Sequence, residues 1–571
     1  MGGGRRLLVI FGAVLAFLVL AWVYNLVDWQ GFFSEEAFEN AQLARNIAQG
    51  RGFVTQSVRP LCLRLLQLGG NPANASTVLQ HPTPDIGTPP VYPLLLAALL
   101  KVSPAPASEA QWSSYAPERS IAALNELFFF LAVILLFRLA ARLFDPRVAW
   151  LSAVLLAGTN LFWRFSLTAL PTCWLLLVFV TLATVLASVE DRVRNNANSR
   201  WAAVRQAGLA GVVLGVGGLS LYAFAWLFFP ALAFLIVVGA GRRKALCGVF
   251  ALGFFVVMTP WLMRNVALVG PPFGDRTFAV LQGTISLPGE TLERSFNPGR
   301  KLREASILQV INKFIENEAQ LWRPGAPRLT GNWIEAFFLV GLMVRFEAPG
   351  RRRLRWFLAG ALVMFLFIQP LGQTHLSSDS PDINSENLLP LCAPLVFVFG
   401  AALFFTLLDP WETLWKPLGR LAPALLALIL CAPLLLALAL GNGTPVNRIT
   451  PYSPLQIRMT AHLFAADELL CSDIPSAVAW YGERRCAWLP LDPAGQFAQL
   501  NRLQPVKGLY LTQRTSNERL LTQMALEPSG WGHFFYQCQA HDLLPPHFPL
   551  SKSPAGLLPY QLLLSDRVRW Q

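Results

Sequence analysis

The sequence predicts a polytopic α-helical membrane protein of about eleven transmembrane helices, followed by a C-terminal soluble α/β domain. Three observations predict it. First, hydrophobic stretches of about 20 residues recur along the chain, the length an α-helix needs to cross ~30 Å of hydrocarbon. A chain that is 54% hydrophobic and 14% charged is too apolar for an ordinary soluble protein, and uninterrupted runs of this kind exclude a barrel. Second, the Lys and Arg clusters lie in short connections that alternate topology places on one face. Third, the long apolar runs stop after Gly441.

Beginning inside at Arg5-Arg6, the spans are placed near residues 7–27, 119–142, 147–165, 170–188, 207–221, 223–239, 245–265, 332–347, 355–371, 388–408 and 421–440. The clusters Arg138/Arg142/Arg147, Arg192/Arg194/Arg200/Arg205, Arg242-Arg243-Lys244 and Arg351-Arg352-Arg353/Arg355 then all share the cytoplasmic side. The net charge of +13 is explained by orientation rather than by nucleic acid. The first span is long and is followed by no small-x-small cleavage site, so it is read as a retained helix. The stretch from Ala207 to Val238 is too long for one span and is split, with Gly208, Gly211, Gly215, Gly217 and Gly218 allowing close helix packing. This layout gives a transmembrane domain over residues 1–440 with outer loops at 28–118 and 266–331. It places the N-terminus in the cytoplasm, residues 441–571 outside, and the whole in a bacterial inner membrane.

Within the tail, apolar strands near Glu468–Cys471, Cys486–Leu489 and Gly508–Leu511 alternate with helical stretches near 476–484 and 494–503. That alternation implies parallel strands joined by helices. Cys173, Cys247, Cys392 and Cys431 fall in spans and are read as packing residues. Cys62, Cys471, Cys486 and Cys538 face the oxidising side, and a Cys471–Cys486 disulfide is one option. No CxxC or HExxH spacing signals a metal.

The acidic pair Glu35-Glu36 stands just outside the first span and opens a helix that ends at Gly50-Arg51-Gly52. Ala37, Ala41, Ala44 and Ala48, with Phe38 and Ile47, form an apolar stripe, so this helix is expected to be amphipathic and to rest at the interface. Ser34 is its N-cap, and the two acids suit the positive end of its dipole. The alternative is chemical: a carboxylate there is placed to take a proton from an attacking hydroxyl. A second short interfacial helix follows Pro89-Pro90, where His81 and Asp85 add titratable groups and Tyr92 adds a phenol. Arg264, in Pro260-Trp261-Leu262-Met263-Arg264-Asn265, either snorkels to headgroups or holds a phosphate. Gln373-Thr374-His375 and Asp382–Glu386 lie between later spans. Span centres are otherwise nearly free of charge, with Glu126 the chief exception, which argues against a transporter.

Together these segments resemble the GT-C superfamily of membrane glycosyltransferases, in the branch of protein O-mannosyltransferases and lipid A aminoarabinose transferases. The matching elements are Glu35-Glu36-Ala37, Ala44-Arg45-Asn46, Gly50-Arg51-Gly52-Phe53, Pro89-Pro90-Val91-Tyr92, Arg142-Leu143-Phe144 and Pro260-Trp261-Leu262-Met263-Arg264-Asn265. The segment from Cys471 to Arg485 resembles the outer domain of bacterial relatives. The resemblance implies transfer, with inversion, from a polyprenyl-phosphate-linked sugar to a protein, lipid or glycan acceptor on the extracytoplasmic face. It implies Glu35 as general base with Glu36 beside it, Arg264, Arg45 and His375 around the donor phosphate, and Asp85 and Tyr92 in the substrate cavity. Membrane lipids are the other partner. No cofactor is implied, and a divalent metal is left open.

The chain also departs from the family. Glu35 replaces an Asp, Thr88 replaces the Lys of aminoarabinose transferases, Glu386-Asn387 replaces an Arg-Tyr element, and Ala169-Leu170-Pro171-Thr172 lacks a second acid. The alternative reading is therefore a non-catalytic subunit of the same fold, serving envelope glycan assembly. Sequons stand at Asn74 and Asn442.

Overall fold

The structure, a computed structural model, describes residues 3–69, 83–102, 115–194, 200–321, 333–343, 348–376, 383–414, 416–441, 452–515, 530–541, 543–554 and 561–570. The sequons at Asn74 and Asn442, His81 and Asp382 lie outside the described residues.

Among the described residues, seven helices are long and apolar enough to cross a membrane: Leu8–Asp28, Ala116–Leu143, Thr172–Arg194, Arg243–Val269, Pro349–Gly372, Leu389–Glu412 and Gly419–Leu440. An eighth candidate is the pair Pro146–Ala157 and Asn160–Ser166, bent by 55°. The bend falls at Gly158-Thr159, and a Cβ on Gly158 would meet Cys431 Sγ at 2.1 Å. Leu389–Glu412 and Thr172–Arg194 form the centre of the bundle, 83% and 72% buried, whereas Leu8–Asp28 is peripheral at 17%.

The remaining expected spans take other forms. Residues 207–221 belong to the helix Arg200–Gly218, and residues 223–239 begin as a 3-10 turn, Tyr222–Leu227, before the helix Phe228–Val238. The long apolar stretch is thus divided near Leu221. Arg200–Gly218 lies directly on Arg243–Val269: a Cβ on Gly211 would stand 2.0 Å from Phe250 O, and one on Gly208 would stand 2.9 Å from Val249 Cγ1. Of the expected span 332–347, the described part is the helix Trp333–Met343.

The first loop helix, Glu35–Ala48, differs from its expected place at the interface. It has the expected Ser34 cap, with Ala37 N–H donating to Ser34 Oγ at 3.3 Å. Yet every residue from Ala37 to Asn46 is buried. Its polar side serves internal hydrogen bonds instead of water: Asn40 donates to Ala169 O, Gln42 to Thr55 Oγ1, and Asn46 to Val54 O. Buried amides need such partners, and periodicity alone does not separate them from a wet face.

Strands β1 (Val54–Thr55) and β3 (Thr83–Pro84) pair antiparallel. The larger sheet has the order β2-β5-β4-β6-β7, with β2 Ser57–Val58, β4 Leu469–Ser472, β5 Arg485–Trp488, β6 Val506–Leu511 and β7 Leu562–Ser565. Strands β2, β5, β4 and β6 are parallel, and β7 is antiparallel. Four of the strands lie where the tail was expected to be α/β; the edge strand β2 comes from the first loop. The register sets Leu470 against Cys486 and Cys471 against Ala487. Since side chains alternate across a sheet, the two cysteines point to opposite faces, and both are free thiols. The suggested disulfide is therefore excluded.

The sheet is fastened to the first loop through the helix Pro475–Gly482. Glu35 Oε2 accepts from Ser476 N–H at 3.0 Å, at that helix's N-terminus. Arg45 donates at 2.6 Å to both Ala479 O and Trp480 O near its C-terminus. Glu35 and Arg45 thus satisfy the unpaired groups at each end of one helix from a neighbouring helix. Glu118 adds a third tie, accepting from Tyr481 OH, Trp480 Nε1 and Phe32 N–H.

The glycine seam gives a direct test. Gly211→Val should cost about 1–3 kcal/mol by overpacking and lower Tm, whereas Gly248→Ala, whose added Cβ meets nothing within 4 Å, should leave Tm unchanged.

Candidate active site

A cavity of ≈ 1040 Å³ opens among the helices Tyr222–Val238, Arg243–Val269 and Pro349–Gly372. Its walls are largely aromatic and aliphatic. Trp226, Phe229, Phe255 and Phe367 line it and are 44–54% exposed, and Phe255 and Phe367 belong to helices long and apolar enough to cross a membrane. Its polar end carries Glu36, Glu39, Arg276, Ser385 and Glu386. Arg276 is the one cation in the lining among the described residues.

Next to that end lies a pocket of ≈ 10 Å³, room for about one water molecule. Glu35, Glu36, Glu39, Arg59, Arg276, Glu293, His375, Ser476 and Trp488 line it. Glu36, Glu39 and Arg276 line both spaces. Glu36 Oε2 accepts from Ser385 N–H at 3.3 Å. Glu35 lines the small pocket and not the large cavity; one carboxylate oxygen holds Ser476, while Oε1 is buried with no hydrogen-bond partner among the described residues.

Arg59 organises the far wall. It contacts Glu39 at 2.6 Å, Asp275 at 3.0 Å and Glu293 at 3.7 Å. Gly87 is required for this packing, because a Cβ there would stand 2.3 Å from Asp275 Oδ1. Gln282 links Glu293 Oε1 at 3.3 Å to His375 Nδ1 at 3.2 Å, and the His375 ring packs on Trp488 at 5.6 Å.

Burial sets the protonation of the acids. It pushes Glu35 up to about 7 against the opposing pull of Arg514 and Ser476. It also raises Glu36, opposed by Ser385 and Arg276. A carboxylate raised in this way is a better proton acceptor at neutral pH than an ordinary one. Glu293 goes the other way: burial opposes its charge, but Arg59, His375 and Arg276 bring it to about 2. Burial and Arg59 oppose the charge of Arg276, yet Glu293, Asp275 and Glu39 hold it above its ordinary value. Arg276 makes no side-chain hydrogen bond or ion pair among the described residues, and its charge faces the cavity.

The site residues expected from sequence separate into two groups. Glu35, Glu36 and His375 come together. Arg45 is instead held by the carbonyls of Ala479 and Trp480. Arg264 donates to Asp85 O at 2.9 Å and Asn265 Oδ1 at 3.0 Å, and lies over Trp261 at 4.4 Å. Asp85 Oδ1 accepts from Thr88 N–H at 2.8 Å, in a separate small pocket with Asp275 and Cys62. Tyr92 OH is bonded to Asn125 at 3.1 Å. None of Arg45, Arg264, Asp85 and Tyr92 lines the large cavity. Arg59, Arg276, Glu39 and Glu293 were not anticipated. Arg276 lies twelve positions past Arg264 in an irregular loop without periodicity; only the fold shows that it is the one facing the cavity. Among the described residues, no group of three or more His, Cys, Asp or Glu side chains is arranged to hold a metal ion.

The acidic cluster has a pH signature. A carboxyl depressed in the folded state contributes stability above its unfolded value and loses it as pH falls towards the folded one. For Glu293 that window runs from its ordinary value of 4.5 down to about 2. Glu293→Gln should therefore flatten the loss of stability across this window, as measured by Tm against pH.

The family model for dolichyl-phosphate-mannose-protein mannosyltransferases matches residues 88–263. No curated protein matches the chain. The archaeal oligosaccharyltransferase AglB from Archaeoglobus fulgidus, in complex with an inhibitory peptide and a dolichol-phosphate, is similar in structure. It has a TM-score of 0.55 and 13% identity, over 91% of this chain and 71% of that one. ArnT from Cupriavidus metallidurans, bound to undecaprenyl phosphate, superposes with a TM-score of 0.53 and 11% identity over 97% and 98% of the two chains. In its apo state the values are 0.54, 12%, 99% and 99%. The chain has the GT-C fold of membrane glycosyltransferases of the mannosyltransferase and ArnT type.

Proposed function

We propose that this protein is a glycosyltransferase that moves a sugar from a polyprenyl-phosphate carrier to an acceptor hydroxyl on the extracytoplasmic face. The observation that carries the reading is the large apolar cavity, built among helices long and apolar enough to span a membrane, which ends at Glu36, Glu39 and Arg276. An isoprenoid tail suits its aromatic walls. With the tail there, the phosphate lies at Arg276, a fixed charge with an unengaged guanidinium. Of the similar structures, AglB is in complex with a dolichol-phosphate and ArnT is bound to undecaprenyl phosphate.

Glu36 is the proposed base, since it borders both the cavity and the small pocket. The acceptor oxygen loses its proton to the Glu36 carboxylate and bonds to the anomeric carbon. The carbon–oxygen bond to the carrier phosphate breaks, and the electron pair leaves with that phosphate, whose charge Arg276 stabilises. Attack opposite the leaving group gives inversion. Glu35, placed first by resemblance, is assigned to holding Ser476 and closing the pocket. The cytoplasmic N-terminus, the inner membrane and the division at residue 440 remain parts of this proposal. The orientation rests on the distribution of basic residues, and the division at residue 440 on the end of the long apolar runs.

The test is transfer from a polyprenyl-phosphate sugar in reconstituted protein. Glu36→Gln should lower kcat by about 10²–10⁴-fold with the fold intact, and Arg276→Met by about 10²–10³-fold. Full turnover by folded Glu36→Gln would remove it as the base. An absence of turnover by the wild-type chain, across sugars and acceptors, would favour the non-catalytic subunit. Because burial raises the Glu36 carboxyl, the acidic limb of the rate profile should lie above the ordinary carboxylate value of 4.5, with activity gained as pH rises through it.

A further inference from the structure

The helix Ile307–Leu321 has two sides with different surroundings. On the inner side Lys313 is only 4% exposed, and its Nζ donates to Ala279 O at 3.0 Å, Val280 O at 3.3 Å and Leu371 O at 2.9 Å. All three of those residues line the large cavity. Asn317 donates to Pro370 O at 2.9 Å. Lys313 and Asn317 thus tie the helix to the last turn of the spanning helix Pro349–Gly372, the depth at which that span ends.

On the outer side Ile307, Leu308, Ile311 and Ile315 are 81%, 65%, 48% and 58% exposed. At 100° per residue they form one stripe, bordered by exposed Asn312, Glu316 and Gln320. Four large aliphatic side chains in one exposed row are costly in water. The stripe adjoins an apolar helix long enough to cross a membrane: Phe314 packs on Phe367 at 5.3 Å, and Phe367 is 54% exposed on the helix Pro349–Gly372. The preceding short helix, Gly299–Glu304, exposes Lys301 and Arg303, which suit headgroup phosphates.

We infer that the helix Ile307–Leu321 is seated in the membrane surface, its Ile307/Leu308/Ile311/Ile315 stripe buried in the outer part of the bilayer, where it forms the rim of the cavity's lateral opening. The occupant of this face is the lipid leaflet. An interfacial amphipathic helix has its apolar side a few ångströms into the acyl boundary and its polar side in water. Lys313 is then the pin that transmits the position of the leaflet to the cavity edge.

The test needs no turnover, so it stands or falls independently of the proposed transfer reaction. An environment-sensitive fluorescent amino acid is incorporated at position 311, and separately at 320, in the full chain reconstituted in nanodiscs. Lipids brominated high on the acyl chain should quench position 311 about twofold or more strongly than position 320, and aqueous iodide should show the reverse order. Equal iodide quenching at 311 and 320 would place the stripe in water and overturn the inference. Protection of 311 from both quenchers would assign the face to a protein partner, a second copy included, and overturn it as well.

Discussion

A single buried guanidinium fixes the site. Arg59 holds Glu39, Asp275 and Glu293, which belong to the first loop helix and to the loop that follows the helix Arg243–Val269. Without that cation, three carboxylates would face one another in a space with little water, and removing one member of such a cluster is strongly unfavourable. The same cluster sets the charge state around it. Arg59 itself, with His375 and Arg276, depresses Glu293, and Glu293, Asp275 and Glu39, which Arg59 holds, raise Arg276. The acid-bearing helix and the cavity's cation are therefore positioned by one shared contact.

The second constraint is the helix Pro475–Gly482, whose two ends are satisfied by Glu35 and Arg45 from the first loop. Because β2 joins the same sheet as the C-terminal strands, the tail roofs the small pocket, to which it adds Ser476 and Trp488. The roof leaves room only for about one water molecule, so the lateral cavity is the wide approach to Glu36. In the proposed function, a lipid-borne substrate meets the carboxylates through that cavity, while the sheet covers the small pocket on the other side.

Much of the architecture was legible in the sequence. Apolar length marks seven of the eleven expected spans among the described residues, the glycines of the Arg200–Gly218 helix mark its close packing, and alternating apolar segments mark β4, β5 and β6. Glu35, Glu36 and His375, singled out in the sequence, come together at the small pocket. The roles of the arginines were not legible. Arg264 and Arg45 have motif contexts, but in the fold one binds Asp85 O and the other caps a helix. Arg276 and Arg59 have no motif at all, and their meaning comes from contacts between segments more than 200 residues apart in the chain, such as Arg59 with Asp275. The polar face of the Glu35–Ala48 helix misled for a related reason: buried amides with internal partners have the same spacing as solvated ones.

The central claim is that Arg276, not Arg264, receives the carrier phosphate at the polar end of the lipid-facing cavity. Titration of undecaprenyl phosphate into wild-type, Arg276→Met and Arg264→Met proteins, read by native mass spectrometry, tests this most directly. The account predicts binding weakened about tenfold or more in Arg276→Met and nearly unchanged in folded Arg264→Met. Wild-type affinity in Arg276→Met, with the loss falling on Arg264→Met, would contradict it.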